Sequence, residues 1–258
     1  MRRALALAFF ALTFACAAHA ADIPSDQRRS AYADMSPETR AMQDDDTANP
    51  ATLWALDGQS LWNRRDGAAQ KSCADCHGAA EASMKGVASR YPKFSESLGK
   101  PVDLEQQINI CRTQRQRAPA LAWESHDLLA LEAFVARQSR GETISAGDDP
   151  RAAASIAHGR RLFTQRRGQL DLSCAQCHDD NWGKSLGGAL IPQGHPTAYP
   201  LYRLEWQSLG SLRRRLRNCL SGMRAELWPQ DSPDYVDLEL YLMSRAGGMT
   251  MESPGVRP

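Results

Sequence analysis

The chain has 258 residues, of which 42% are hydrophobic and 24% charged, and its formal net charge is +1. This composition is typical of a folded globular protein and excludes an intrinsically disordered chain. A nearly neutral charge without a basic run gives no support to nucleic-acid binding. The length suffices for one large domain or two of ordinary size.

The first twenty residues have the pattern of an export signal. Arg2 and Arg3 give a positive start, residues 4–18 form a short apolar stretch, and Ala18-His19-Ala20 has the form of a signal peptidase site. We therefore predict a cleaved signal peptide over residues 1–20 and a periplasmic mature protein.

A lipoprotein anchored through Cys16 is the alternative for this segment. The residues before it, Thr13-Phe14-Ala15, lack the leucine that usually precedes such a cysteine, so they argue against it. No later stretch approaches the length that crosses a bilayer, and we expect no membrane span in the mature protein.

The mature chain divides by composition into an arm and two domains. Residues 21–50 are polar and rich in Asp, and we predict an extended or partly helical arm there. The next domain is predicted over residues 51–141 and the last over residues 151–258. Residues 142–150 contain Gly and Pro among polar residues and are predicted to be the linker.

Two CxxCH motifs carry the strongest chemical signal. They are Cys73-Ala74-Asp75-Cys76-His77 and Cys174-Ala175-Gln176-Cys177-His178. Two cysteines at this spacing form thioether bonds to the vinyl groups of one haem, and the next residue, His, ligates the iron. We predict covalent haem c at each motif, two in all. Zinc sites, redox CxxC motifs and disulfides are alternatives, but no second CxxC or HxxxH lies close to either motif.

The two motifs lie within a longer internal repeat. Gly58 and Gly159 each precede the first cysteine of a motif by fifteen residues. Downstream, Tyr91-Pro92 matches Tyr199-Pro200. Each half also has a leucine seven residues before a further cysteine, Cys111 or Cys219. The chain is therefore predicted to be an internal duplication.

Apolar spacing predicts three helices in each half and no convincing strand. The predicted helices cover residues 54–65, 104–112 and 127–137, and residues 155–166, 209–220 and 233–244. Three helices around a haem are typical of cytochrome c. We predict an all-α fold with two tandem cytochrome c-like haem domains related by duplication.

Each predicted haem iron needs a second axial ligand. Met84 follows His77 too closely to reach the opposite haem face, whereas Cys111 and Cys219 recur at one place in the repeat. We predict that these two cysteines are distal thiolate ligands, which favour ferric iron. A Cys111–Cys219 disulfide and Met223 as the second ligand are alternatives. The further candidates are His126, His158 and His195, none of which recurs between the halves.

An arginine cluster distinguishes the second half from the first. If residues 209–220 are helical, Arg215 and Cys219 share one face, so the guanidinium favours the thiolate and can bind an oxyanion. We predict a functional role for Arg215. Its neighbours Arg213, Arg214 and Arg217 are predicted to form a solvated face.

The segment around Cys219 contains the run Arg215-Leu216-Arg217-Asn218-Cys219-Leu220-Ser221-Gly222-Met223-Arg224-Ala225-Glu226. This run, the two CxxCH motifs and the further cysteine in each half resemble the SoxA family, the dihaem subunits of SoxAX cytochromes. The resemblance implies an L-cysteine S-thiosulfotransferase that joins thiosulfate oxidatively to a cysteine of a SoxYZ-like carrier. It also implies a monohaem SoxX-like partner in a heterodimer and a soluble cytochrome c as electron acceptor.

The resemblance also assigns roles to individual residues. Cys219 is implied as the catalytic persulfide and as a haem ligand, Arg215 as the substrate-binding residue, and Cys111 as the ligand of the other haem. Two alternative functions stand beside this one. A plain electron-transfer dihaem cytochrome would need no pairing of Arg215 with Cys219, and a dihaem peroxidase would need an open iron position.

Overall fold

The computed structural model describes residues 23–258. The predicted signal peptide and Cys16 lie outside the described residues. Within residues 23–258, no helix is both long and apolar enough to cross a bilayer.

The segment before the first repeat lies on the second half of the chain. It contains two short 3₁₀ turns, Ser25–Gln27 and Ala31–Asp34, and helix α1, Pro37–Asp44. Arg28 donates through Nη1 to the carbonyl of Gly247 over 3.0 Å. The backbone N–H of Arg29 donates to Oε1 of Gln193 over 2.8 Å. The arm therefore forms part of the wall of the second half.

The first half is built from helices with one short hairpin. Its helices are α2 (Ala51–Asn63), α3 (Ala74–His77), α4 (Ala80–Ser83), α5 (Leu104–Cys111) and α6 (His126–Arg137). A 3₁₀ turn spans Ala88–Arg90 and a π-helical turn spans Arg112–Gln116. Strands β1 (Lys93–Ser95) and β2 (Lys100–Val102) pair antiparallel. The three predicted helices are confirmed, with ends that differ by at most three residues.

The second half repeats this order. After a 3₁₀ turn at Pro150–Ala152, its helices are α7 (Ala153–Thr164), α8 (Cys174–His178), α9 (Leu212–Gly222) and α10 (Pro233–Arg245). Its strands are β3 (Ser185–Leu186), β4 (Ala189–Leu190), β5 (Leu201–Arg203), β6 (Ser208–Gly210) and β7 (Gly255–Arg257). The predicted helix over residues 209–220 begins only at Leu212, because residues 208–210 pair with β5 instead.

The expectation of no strands is wrong in detail. Two- and three-residue strands are too short to show an alternating pattern in the sequence. In the second half, β5 lies between β6 and β7, with Leu201 opposite Gly210 on the antiparallel side and opposite Gly255 on the parallel side. The predominantly helical cytochrome c-like architecture is otherwise as predicted.

A glycine lets the first and last helices of each half cross closely. A Cβ on Gly58 would lie 2.0 Å from the carbonyl oxygen of Ala130, and a Cβ on Gly159 would lie 2.0 Å from that of Asp237. The pairs α2–α6 and α7–α10 therefore meet backbone to backbone at equivalent points. This contact fixes the frame on which each CxxCH helix is held.

The two halves share part of their core. Trp62 and Phe134 of the first half pack in one cluster with Met243 and Met251 of the second. The segment predicted as a linker contributes Ile144 to this cluster, where its side chain is only 1% exposed. The N–H of Ile144 also donates to the carbonyl of Met249 over 2.9 Å. Ile144 and Ala146 are therefore packed into the joint between the halves, whereas Thr143, Asp148 and Pro150 are exposed.

Candidate functional site

The second CxxCH motif forms helix α8 at the edge of a cavity. Ser173 and Gln176 form a reciprocal capping box that fixes the start of this helix. His178 then donates from Nδ1 to the carbonyl of Pro192 over 2.7 Å. Because Nδ1 carries the proton in this contact, Nε2 is left free to ligate a metal.

The cavity beside His178 has a volume of about 470 Å³. Cys174, His178, Arg215 and Cys219 all line it. Its walls are largely apolar, with side chains contributed by several helices: Phe163, Leu212, Leu216, Leu238 and Leu242. The structure thus brings together the predicted attachment cysteine, proximal histidine, distal cysteine and arginine of the second half.

The charges around Cys219 favour its thiolate. Burial raises the pKa of this thiol, but contact with His178 and the positive charge of Arg215 outweigh burial, and the net effect lowers the pKa. The thiol of Cys174 behaves oppositely, since burial and the neighbouring Cys219 raise its pKa to about 12. Cys219 is therefore the sulfur in this cavity that is prepared to carry negative charge.

Two further arginines reach this cavity that the sequence analysis missed. Arg203 ends strand β5 and Arg257 ends strand β7, and both line the cavity. Arg203 is paired with Glu205 over 2.9 Å, and Arg257 with Glu252 over 2.5 Å. Within residues 23–258, Arg215 has no such carboxylate partner. Its charge is therefore the one that the cavity leaves uncompensated.

The sequence carries only a weak signal for these two arginines. Arg203 lies four residues after Tyr199, which matches Tyr91 in the repeat, but a single arginine near a repeated position is common and indicates no function. Arg257 lies in the C-terminal tail and reaches the cavity only through the parallel pairing of β7 with β5. No pattern within the sequence predicts that pairing.

The first half places its own residues in an equivalent arrangement. Cys73 and His77 lie at α3, and Cys111 is the last residue of α5. Burial, together with the nearby Cys111, raises the pKa of the Cys73 thiol to about 11 and that of Tyr91 to about 12. The thiols of Cys73 and Cys111 therefore interact electrostatically, as those of Cys174 and Cys219 do in the second half.

The residue four positions before the distal cysteine differs between the halves. In the first half it is Gln107, which donates from Nε2 to Sγ of Cys111 over 3.3 Å. In the second half it is Arg215, whose charge acts on Cys219. A neutral donor thus stands in the first half where the second half has a cation.

Most of the alternative ligands lie elsewhere. His126 pairs with Asp57 over 3.2 Å, and His158 pairs with Asp237 over 2.9 Å. Met223 does not line the second cavity in the described part of the chain, whereas His195 does. Cys111 and Cys219 are both free thiols, which contradicts a disulfide between them.

The prediction that the neighbouring arginines form a solvated face is wrong. Arg213 is 2% exposed, pairs with the buried Asp103 of the first half and stacks on Trp123 at 3.8 Å. Arg214 lies over Trp206 at 4.2 Å, and Arg217 donates to the carbonyl of Trp228 over 3.2 Å. The reason is packing: this face of α9 is covered by the other half and by the loops around it.

The second cavity fits the group that the sequence predicts. Cys174 and His178 of the second motif line it together with Cys219, and apolar side chains make up most of the remaining wall. Its volume falls within the range of cofactor sites. The donor set of thiolates and one imidazole with a free Nε2 suits haem c.

Known proteins match almost the entire chain. The family model described as SoxA/TsdA, cytochrome c domain, matches residues 57–144 and 158–251. The L-cysteine S-thiosulfotransferase subunit SoxA of Rhodovulum sulfidophilum is 38% identical over 240 residues, which cover 93% of this chain and 83% of that protein. Its counterpart in Pseudaminobacter salicylatoxidans is 34% identical over 235 residues, covering 91% and 82%.

A solved structure agrees with these sequence relatives. The crystal structure of SoxXA from P. pantotrophus superposes with a TM-score of 0.85 at 33% identity, and covers 89% of this chain and 86% of that chain. The protein is thus a c-type cytochrome that binds haem c covalently, and the chain belongs to the SoxA family.

Proposed function

We propose that this protein is the dihaem subunit of an L-cysteine S-thiosulfotransferase. Its activity is the oxidative conjugation of thiosulfate to a cysteine of a carrier protein. One observation carries this assignment: the uncompensated charge of Arg215 acts on the Cys219 sulfur inside an apolar cavity. The curated relatives that match most of the chain have the same activity in their names.

Two haems and four axial ligands follow from the repeat. Cys73 and Cys76 would attach the first haem, and His77 and Cys111 would hold its iron. Cys174 and Cys177 would attach the second haem, and His178 and Cys219 would hold its iron. The electrostatic interaction of Cys73 with Cys111, and the cavity that Cys174 and Cys219 both line, support this set.

The reaction balances as one bond formed and two electrons released. Thiosulfate and a carrier thiol give a cysteine S-thiosulfonate, one proton and two electrons. When bound, haem accepts these electrons one at a time. Arg215 binds the thiosulfate dianion through its guanidinium, which has the paired donors that an oxyanion takes. The resemblance to the SoxA family gives Cys219 the role of a persulfide beside the bound substrate, and its extra sulfur is not consumed in the balanced reaction.

The protein works with other proteins in the periplasm. A monohaem SoxX-like cytochrome forms a heterodimer with it, a SoxYZ-like carrier supplies the substrate cysteine, and a soluble cytochrome c accepts the electrons. The structural match to a chain from a SoxXA complex supports the first partner. The export pattern of residues 1–20 supports the location.

Replacing each distal cysteine tests the assignment. We expect Cys219→Ala to lose thiosulfate conjugation, measured as the mass gain of the carrier, with both haems still attached by intact mass. Cys111→Ala is the matched control in the other half, and it should alter the first haem's electron paramagnetic resonance signal with a smaller loss of activity. Wild-type turnover by Cys219→Ala would refute the catalytic role. Equal loss in both variants would show that the halves are not specialised.

Arg215→Gln tests the role of the arginine by introducing the residue that the first half has at this place, Gln107. This change keeps a donor beside the sulfur, as Gln107 provides for Cys111, and removes only the positive charge. We expect the specificity constant for thiosulfate to fall at least tenfold, because a hydrogen bond between charged groups contributes about 1.5–3 kcal/mol. Unchanged thiosulfate kinetics would exclude Arg215 as the binding residue.

A further inference from the structure

A second cleft lies behind the haem cavity of the second half. It has a volume of about 440 Å³ and is bounded by α7, α10 and the arm. Arg28, Arg160, Arg245 and His195 line it, and among the described residues no carboxylate does. The rest of the wall is apolar or uncharged, including Ile23, Ile156 and Ala157. The first turn of α7 also borders this cleft through Ala153.

Two buried polar side chains in this cleft have nitrogen atoms without a hydrogen-bond partner. Arg245 and His195 are each only 7% exposed. Arg245 uses Nη2 to pair with Asp179 over 2.5 Å, but its Nη1 has no hydrogen-bond partner. Neither ring nitrogen of His195 has one. Buried polar groups are nearly always satisfied, so these atoms point to a ligand that offers acceptors.

The electrostatic character of the cleft is positive. Three guanidinium groups, those of Arg28, Arg160 and Arg245, line it, and the imidazole of His195 adds an N–H donor. A cleft with cationic walls and few competing carboxylates attracts anions.

The repeat shows that this charge belongs to the second half alone. Three pairs of residues align the first half with the second: the crossing glycines, Tyr91 with Tyr199, and Gly86 with Gly194. Gly86 and Gly194 both have positive φ, 64° and 74°. At the places of Arg160, His195 and Arg245, the first half has Gln59, Val87 and Gln138. All three positions are uncharged there, so the fold itself does not require cations at these points.

We infer that this cleft binds a small tetrahedral oxyanion of the sulfate type, held by the guanidinium groups of Arg245 and Arg160 and by an N–H of His195. Guanidinium groups bind such oxygens with paired donors, and the free Nη1 of Arg245 supplies the first of them. This cleft adjoins the haem cavity, since His195 lines both, but it is distinct from the proposed thiosulfate site because Arg215 and Cys219 do not line it. The inference does not depend on the proposed enzymatic activity.

Titration calorimetry of the haem-loaded protein with sodium sulfate, at constant ionic strength balanced by chloride, tests this site. We expect saturable binding that weakens at least tenfold in Arg245→Gln and several-fold in His195→Val, since both variants introduce the first-half residue. Arg166→Gln removes one exposed cation outside the cleft and serves as the charge control. Haem absorption and thermal melting check that each variant is folded.

A second variant covers the case in which Arg245→Gln does not fold. Arg160 is exposed at the rim, so Arg160→Gln should leave the core intact and still weaken sulfate binding. Absence of saturable binding to the wild-type protein would overturn the inference. So would sulfate binding that is lost in Arg215→Gln but retained in Arg245→Gln and Arg160→Gln, because the anion would then occupy the haem cavity.

Discussion

Glu239 makes the joint between the two halves sensitive to pH. It lies on α10 near Asp103 and the cationic Arg213. Burial disfavours its charged form and Asp103 repels it, so the pKa of Glu239 is raised to about 8 despite the opposing charge of Arg213. The pKa values of Glu105 and Glu132 are also raised well above the usual value for a glutamate, mainly by burial and then by neighbouring carboxylates.

The sign and the size of the effect follow from linkage. The folded protein holds the Glu239 proton more tightly than the unfolded chain, whose pKa is 4.5. Its contribution to stability is therefore complete below pH 4.5 and is lost as the pH rises to about 8. The difference between the two pKa values corresponds to at most about 5 kcal/mol. Because Glu239 keeps some contact with solvent, we expect about 2 kcal/mol.

Glu239→Gln isolates this contribution, because the amide keeps the shape of the side chain and cannot ionise. We expect urea denaturation of the haem-loaded protein to show a wild-type stability that falls between about pH 5 and about pH 8.5. The variant should lose about 2 kcal/mol less over the same range. Glu226→Gln, at an exposed position of the same half, is the control and should follow the wild type. Parallel pH profiles for Glu239→Gln and the wild type would refute the reasoning.

Two further predictions concern packing and charge in the core. Gly159→Ala should lower the free energy of unfolding by about 1–3 kcal/mol, because the new Cβ would clash with the Asp237 carbonyl. Gly222→Ala is the control, since its Cβ would meet no atom within 4 Å. Equal melting temperatures for the two variants would contradict the close crossing. Arg213→Met should cost about 3–5 kcal/mol by leaving Asp103 buried without its cation. Adding Asp103→Asn, which keeps an N-cap for α5, should restore part of that loss in urea denaturation; no recovery would argue against the pair.

The helices and the attachment motifs were predictable because their information is local. Apolar spacing along α2, α6, α7 and α10 reports which face is buried, and CxxCH needs only five consecutive residues. Cys111 and Cys219 were predicted as distal ligands only by comparing the halves, since neither cysteine has a motif of its own. Duplication thus replaced the missing local signal.

The parts that escaped prediction depend on distant contacts. Arg213 is buried because its partner Asp103 lies 110 residues earlier in the chain. Strand β7 exists only because the C-terminal tail returns to β5, and Arg257 reaches the cavity through that pairing. Neither an arginine-rich helix nor a three-residue tail carries a sequence pattern that indicates such a partner.

The two halves have kept the same packing and changed their charge. From Gly86 to Arg112 the first half matches the second with a constant offset, so Ser95 stands in place of Arg203 and Gln107 in place of Arg215. Arg257 has no counterpart, because β7 pairs only with β5. The crossing glycines, Gly58 and Gly159, make the same close helix contact in both halves. The three cations that line the cavity of Cys219 therefore come from a strand, a helix and a tail, and among them Arg215 has no carboxylate partner in the described part of the chain.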